Sequence, residues 1–124
     1  MNGPDIVWVG LAGGLGAAVR FAVDGGLRRR IAGDTPVGTM VVNLSGSLLF
    51  GILTGLVLFH RAPGVLALVG GTGFCGGYTT FSTASFETVR LLQRGEHANA
   101  LVTAAGTLFG CLATAAAGLG LAAL

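Results

Sequence analysis

The chain has 124 residues, 52% hydrophobic and 10% charged, with a formal net charge of +2. Soluble domains carry about 25% charged residues, and a chain this short cannot hide so much apolar surface in one aqueous core. Lipid is the expected solvent, and no nucleic-acid partner is expected, because all seven basic residues are Arg and most fall at helix ends.

The first apolar segment runs from about Pro4 to Leu27, and Arg28, Arg29 and Arg30 close it. Pro4 suits a first helical turn. The run lacks a basic leader and equally apolar runs follow, so no cleavable signal is expected. The second segment runs from about Pro36 to Phe59, with Asp34 or Thr35 as cap and Pro36 at the first helical position. His60 to Gly64 forms a turn. The third segment runs from about Pro63 to Gln93 and is expected to break at Gly76 and Gly77. The fourth runs from about His97 to Leu124. Each segment approaches the roughly 20 residues that span a bilayer. The expected fold is an all-α membrane protein of four spans, the third broken near residues 76–78, with both termini on one side.

Arg28, Arg29, Arg30, Arg90 and Arg94 flank the loops after spans one and three, whereas Arg61 alone flanks the loop after span two. The positive-inside rule places the first set in the cytoplasm and the termini outside. Gly10 and Gly14, Gly51 and Gly55, and Gly106 and Gly110 recur at the spacing that lets helices approach closely in lipid, chiefly within the chain. Cys75 and Cys111 lie inside apolar segments and imply neither a disulfide nor a metal site. No nucleophile–base pair is seen, and His60 and His97 sit beside loops, so no enzymatic chemistry is expected.

Polar residues inside the spans form stripes. Thr39, Asn43 and Ser47 recur at intervals of four in span two. Thr103, Thr107, Cys111 and Thr114 mark span four, and Thr80, Thr83 and Glu87 share a face in span three. A lone Ser or Thr in a lipid-buried helix usually bonds back to its own backbone. Stripes on several spans suggest a hydrogen-bonding track instead. Neutral O–H and N–H donors and the electropositive ring edge of Phe81 suit a small anion held weakly enough to leave. Arg20 lies inside span one, where it either snorkels outward or draws anions into a vestibule. Glu87 either pairs with Arg20 or bonds to hydroxyls. The break frees backbone carbonyls that suit a hard cation such as Na⁺, with a second chain supplying the rest of the shell.

Three blocks carry a resemblance over essentially the whole chain. They are Gly13-Gly14-Leu15-Gly16-Ala17-Ala18-Val19-Arg20, Pro36-Val37-Gly38-Thr39-Met40-Val41-Val42-Asn43, and Gly73-Phe74-Cys75-Gly76-Gly77-Tyr78-Thr79-Thr80-Phe81-Ser82-Thr83 with Glu87. In these the chain resembles the CrcB/Fluc fluoride channel family. The resemblance implies an antiparallel dimer of four-span subunits in the cell membrane, passing fluoride passively out of the cytoplasm through two narrow pores. It implies pore roles for Asn43, Phe81, Ser82, Thr83 and Thr107, and more loosely for Thr103. Arg20, Glu87, Thr39 and Ser47 are vestibule or structural polar residues. It also implies a structural Na⁺, not transported, on the main-chain carbonyls of Gly76 and Thr79.

One position departs from the family pattern. A second phenylalanine usually follows the first by three residues, and here that position is Ala84. Phe86 cannot replace it, because two further residues turn about 200° around a helix. With the Arg bias, this points to an oppositely oriented homologous partner that supplies missing pore groups, the alternative being a dual-topology homodimer. A non-conducting partner subunit is the second reading. A small multidrug transporter is remote, because span one has Asp5 and Asp24 at its ends and no central carboxylate.

Overall fold

A computed structural model of the chain describes residues 2–31 and 36–124, and among them every regular element is helical. Helix α1 is Gly3–Arg30. Asn2 and Asp5 cap it reciprocally, each side chain accepting the other's backbone amide. Arg28, Arg29 and Arg30 occupy its last turn, where cations complement the helix dipole. Helix α2 is Val37–His60. Pro36 takes the cap position rather than the first helical one. The caps expected at Asp34 or Thr35 lie outside the described residues. Helix α2 stops on Arg61, whose φ of 54° is left-handed. An L side chain pays roughly 1–2 kcal/mol for that conformation.

Three consecutive helical pieces follow: α3 (Gly64–Leu66), a π-helix (Ala67–Cys75) and α4 (Gly76–Tyr78). The chain then leaves the helix at Thr79–Phe81 and resumes in α5 (Ser82–Gln93). A turn on Gly95, at φ 78°, leads into α6 (His97–Ala122). Helices α1, α2 and α6 are each long and apolar enough to cross a membrane. Neither arm of residues 64–93 reaches the roughly 20 residues a span needs.

Two sequence expectations change here. The pause in the helix falls at Thr79–Phe81, not at Gly76 and Gly77, which are helical. Gly77 serves close approach instead. A Cβ on Gly77 would strike the Gly13 carbonyl, and one on Gly16 would strike the Phe74 carbonyl. Backbone therefore packs on backbone where α1 meets residues 73–78. The stretch before the pause is also π-helical rather than α-helical. Such windings are rare, appear mostly as single-turn insertions and gather at functional sites.

Helices α2 and α6 pack by the same device. A Cβ on Gly51 would meet the Ala115 carbonyl, and one on Gly118 would meet the Leu48 carbonyl. Gly55 abuts the Ala122 methyl at 2.5 Å from an ideal Cβ. Gly106 and Gly110 receive the side chains of Met40 and Leu44. Gly10 and Gly14 differ, because nothing lies within 4 Å of a Cβ on either. That pair faces outward from the chain, and Gly13 and Gly16 do the packing on α1.

The two ends of the bundle differ in charge. Arg28 reaches Glu87 at 2.8 Å, which joins the last turn of α1 to the middle of α5. His60 bonds the Ala122 carbonyl at the opposite end. Arg28–Arg30, Arg90 and Arg94 gather at one end, where Arg28, Arg90 and Arg94 line one cavity.

Gly51→Val and Gly118→Val are expected to lower resistance to denaturing detergent by about 1–3 kcal/mol each, as overpacked sites do. Gly10→Ala should leave that resistance unchanged for the single chain. Circular dichroism during a detergent titration measures the difference.

Candidate functional site

The irregular segment Thr79–Phe81 organises the polar side chains. Thr79 is extended, with φ −78° and ψ 161°, after its amide completes a last bond to the Cys75 carbonyl at 2.9 Å. Leaving the helix costs backbone partners, and side chains supply four replacements. The Thr80 amide donates to Asn43 Oδ1 at 2.8 Å. The Thr80 carbonyl accepts from Asn43 Nδ2 at 2.9 Å. The Thr79 carbonyl accepts from Arg20 Nη1 at 3.1 Å. The Thr83 amide, at the start of α5, donates to Thr80 Oγ1 at 3.2 Å.

Asn43 is 6% exposed, and its carboxamide grips both polar groups of Thr80. One N–H of its two remains uncommitted. Arg20 resolves an alternative left open by the sequence, since its guanidinium turns inward to the Thr79 carbonyl. Glu87 does not pair with Arg20. Its Oε1 accepts from Thr39 Oγ1 and from Arg28 Nη2, each at 2.8 Å, while Oε2 is buried and unpartnered. Arg28 also bonds Asp24 at 3.0 Å. This ionic cluster ties α1, α2 and α5 together at the Arg-rich end.

Beside the pause lies an open groove of about 670 Å³ between α5, α6 and α2. Asn43, Ser47, Thr79, Phe81, Thr103 and Thr107 line it, with Ala84 among the remaining wall residues. Thr103 is 1% exposed. The hydroxyls of Thr103 and Thr107 are both buried without a hydrogen-bond partner. Their neighbours behave differently. Thr114 bonds back to the Cys111 carbonyl at 3.2 Å, Thr88 to Ala84 at 2.8 Å and Thr79 to Cys75 at 2.8 Å. The stripe on α6 therefore splits into an unsatisfied pair and a self-satisfied Thr114. The ring of Phe81 is 87% exposed at the groove.

The other predicted residues lie elsewhere. Arg20, Thr39 and Thr83 line a separate polar cavity of about 300 Å³ with Asp24 and Thr80. Ser82 is exposed, and its hydroxyl stands 3.4 Å from that of Thr80. Gly76 is exposed, with open space beside it. Thr80, expected on a helical face with Thr83 and Glu87, sits instead in the irregular segment. A Cβ on Gly38 would strike the Asp24 carboxylate, so Gly38 admits the ionic cluster to the start of α2.

The chain matches the family of CrcB-like proteins, Camphor Resistance (CrcB), over residues 7–119. It belongs to the CrcB family. Relatives carry the name fluoride-specific ion channel. FluC 1 of Leifsonia xyli is 49% identical over 116 residues, covering 94% of this chain and 83% of the relative. FluC 2 of Cutibacterium acnes is 51% identical over 86 residues, covering 68% and 70%. FluC 2 of Moorella thermoacetica is 42% identical over 106 residues, covering 86% of each. Like its family, this CrcB chain is a multi-pass membrane protein, with three apolar helices long enough to cross.

The sequence did not reveal that Asn43 locks Thr80 or that Ser45 bonds the Tyr78 hydroxyl at 2.9 Å. Both contacts join residues more than thirty positions apart, and no local pattern encodes them. The signal for Asn43 was its amide in an apolar helix, which demands a partner somewhere.

Proposed function

We propose that the chain is a subunit of a fluoride-specific channel that lets fluoride leave the cytoplasm passively. Relatives of that name cover most of the chain. The observation that carries the reading is the pair of buried, unpartnered hydroxyls at Thr103 and Thr107. A buried polar group without a partner costs about 1–3 kcal/mol, so such a pair in one groove is explained by a ligand that accepts from it. Fluoride is a small anion and a strong acceptor. Neutral donors bind it without the full attraction of a cation, which conduction requires. The ring edge of Phe81 and the spare N–H of Asn43 add electropositive contacts on the facing wall.

In this reading, residues 64–93 form a fourth pass, broken in the middle, and a second subunit packs antiparallel against the first. The exposure of Phe81 and the outward face of Gly10 and Gly14 support a partner there. Ala84 stands in the groove wall where the family's second phenylalanine usually lies. That small side chain favours an oppositely oriented homologous partner whose aromatic ring completes the groove. It also keeps a second reading in play, a partner subunit whose own pore does not conduct.

The donor set fits a structural Na⁺. The Gly76 carbonyl has lost its helical partner, because the Thr80 amide turns to Asn43. The Thr79 carbonyl keeps one lone pair beyond the Arg20 bond. Two main-chain oxygens from each of two chains would hold the ion, which would fix the subunits together as a hard cation does.

Thr107→Val and Thr103→Val are each expected to reduce fluoride efflux from liposomes by about tenfold or more, the loss of a hydrogen bond to a charged group, and Phe81→Ile is expected to reduce it as well by removing the electropositive ring edge. Thr114→Val should be silent, because its hydroxyl is already satisfied within α6. Equal loss in all four variants would refute the groove as the conduit. Exchanging Na⁺ for a large organic cation should weaken subunit association on a sizing column, and an unchanged elution would remove Gly76 and Thr79 as ligands. Reporters fused to the C-terminus should signal from one side of the membrane, and equal signal from both sides would favour the homodimer.

A further inference from the structure

We infer that Arg20 is a positioning residue: its guanidinium and the Asn43 carboxamide hold the extended backbone at Thr79–Thr80 and thereby set where the Phe81 ring stands. The inference rests on the groove being the conduction wall. Arg20 lies deep in α1, about 15 Å of helix before Arg30 at 1.5 Å per residue. A cation at that depth is expensive unless it finds a protein acceptor. The acceptor it finds is the Thr79 carbonyl, 3.1 Å away.

That carbonyl needs the bond. Its helical partner would be the Thr83 amide, which donates to Thr80 Oγ1. The amide of that same peptide, Thr80 N–H, donates to Asn43 Oδ1, and the carbonyl of the next peptide accepts from Asn43 Nδ2. Arg20 from α1 and Asn43 from α2 thus grip successive residues of one irregular segment. Phe81 follows at once, cannot move independently of Thr80, and starts α5 from its cap position. Losing the Arg20 bond would free the Thr79 carbonyl to seek the Thr83 amide, lengthening α5 backward and rotating Phe81.

A competing role exists for the same side chain. Arg20 lines the polar cavity with Thr39, Thr80 and Thr83 and would attract anions there by charge. The two roles separate in measurement. An attracting charge sets the fluoride concentration for half-maximal flux. A positioning bond sets the maximal flux and the rigidity of residues 79–83.

The test compares the full-length chain with Arg20→Met and Arg20→Lys, in lipid nanodiscs for hydrogen exchange and in liposomes for efflux. Arg20→Met is expected to speed amide exchange across residues 79–83 by roughly tenfold or more, as the loss of a charged hydrogen bond does. Its maximal efflux should fall while the half-maximal concentration holds. Arg20→Lys, which keeps a donor, should recover both substantially. Unchanged exchange in Arg20→Met overturns the inference, and so does a raised half-maximal concentration with the maximum intact. If the unsubstituted chain, with its partner supplied, passes no fluoride, the channel reading fails, and exchange alone then decides for or against the Arg20 grip.

Discussion

A peptide group inside a bilayer has no water to turn to. Every amide and carbonyl that leaves a helix there must find a partner in the protein. Among the described residues, Thr79 to Phe81 interrupt the helical stretch 64–93. The arrangement around them follows from that debt. Asn43 comes from α2 to meet both groups of Thr80, and Arg20 comes from α1 to meet the Thr79 carbonyl. Helices α1 and α2 must therefore lie on either side of the segment, close enough for side chains of these lengths to reach. The glycines supply that closeness. Gly13, Gly16, Gly73 and Gly77 bring α1 against residues 73–78 without intervening side chains.

Satisfaction is uneven, and the unevenness is informative. The amide and carbonyl of Thr80 and the carbonyl of Thr79 are paired, and the hydroxyls of Ser45, Thr79, Thr88 and Thr114 bond to carbonyls within their own helix. Thr103 and Thr107 are not paired, although both hydroxyls are buried. A sequence that satisfies Thr79, Thr88 and Thr114 locally had the same option at Thr103 and Thr107. Unused donors cost stability, so keeping two on one wall argues for an acceptor that visits the groove. Glu87 Oε2 is the acidic counterpart, an unpartnered acceptor close to Arg28 and Thr39. It lies at the Arg-rich end and lines a different cavity from the groove.

Much of the fold was legible because apolar runs and their punctuation act locally. Pro4, the triple Arg28–Arg30, Pro63 and Gly95 mark helix ends within a few residues of where they fall. The site was legible in residue identity but not in arrangement. Thr103, Thr107, Asn43 and Phe81 were named from stripes and resemblance, and one groove gathers them. The exact place of the interruption was not legible. Gly76 and Gly77 read as a breaker because glycine is a poor helix former. Yet the missing side chain of Gly77 is used by Gly13 of α1, a contact distant in sequence. Thr79 and Thr80 leave the helix because Asn43 and Arg20 offer better-placed partners, and that competition is tertiary. The π-helix was invisible for the same reason, since no propensity scale separates its winding from an α-helix.

The missing phenylalanine at position 84 bears on how such a chain tolerates an incomplete wall. Phe81 stands 87% exposed on the lone chain. An aromatic ring in that position gains nothing from its own subunit, so a partner must cover it or lipid must. Lipid would cover it without demanding any particular ring. The groove beside it, however, contains buried hydroxyls that lipid chains cannot satisfy. A polar-edged, aromatic-bearing surface satisfies ring and hydroxyls together, with room for a small anion between them. The small side chain of Ala84 leaves space in this wall. In the proposed dimer, a ring supplied across the interface would fill that space. On the proposed reading, asymmetry between partners is consistent with this geometry, and a charge bias toward one end would act in the same direction by favouring one orientation.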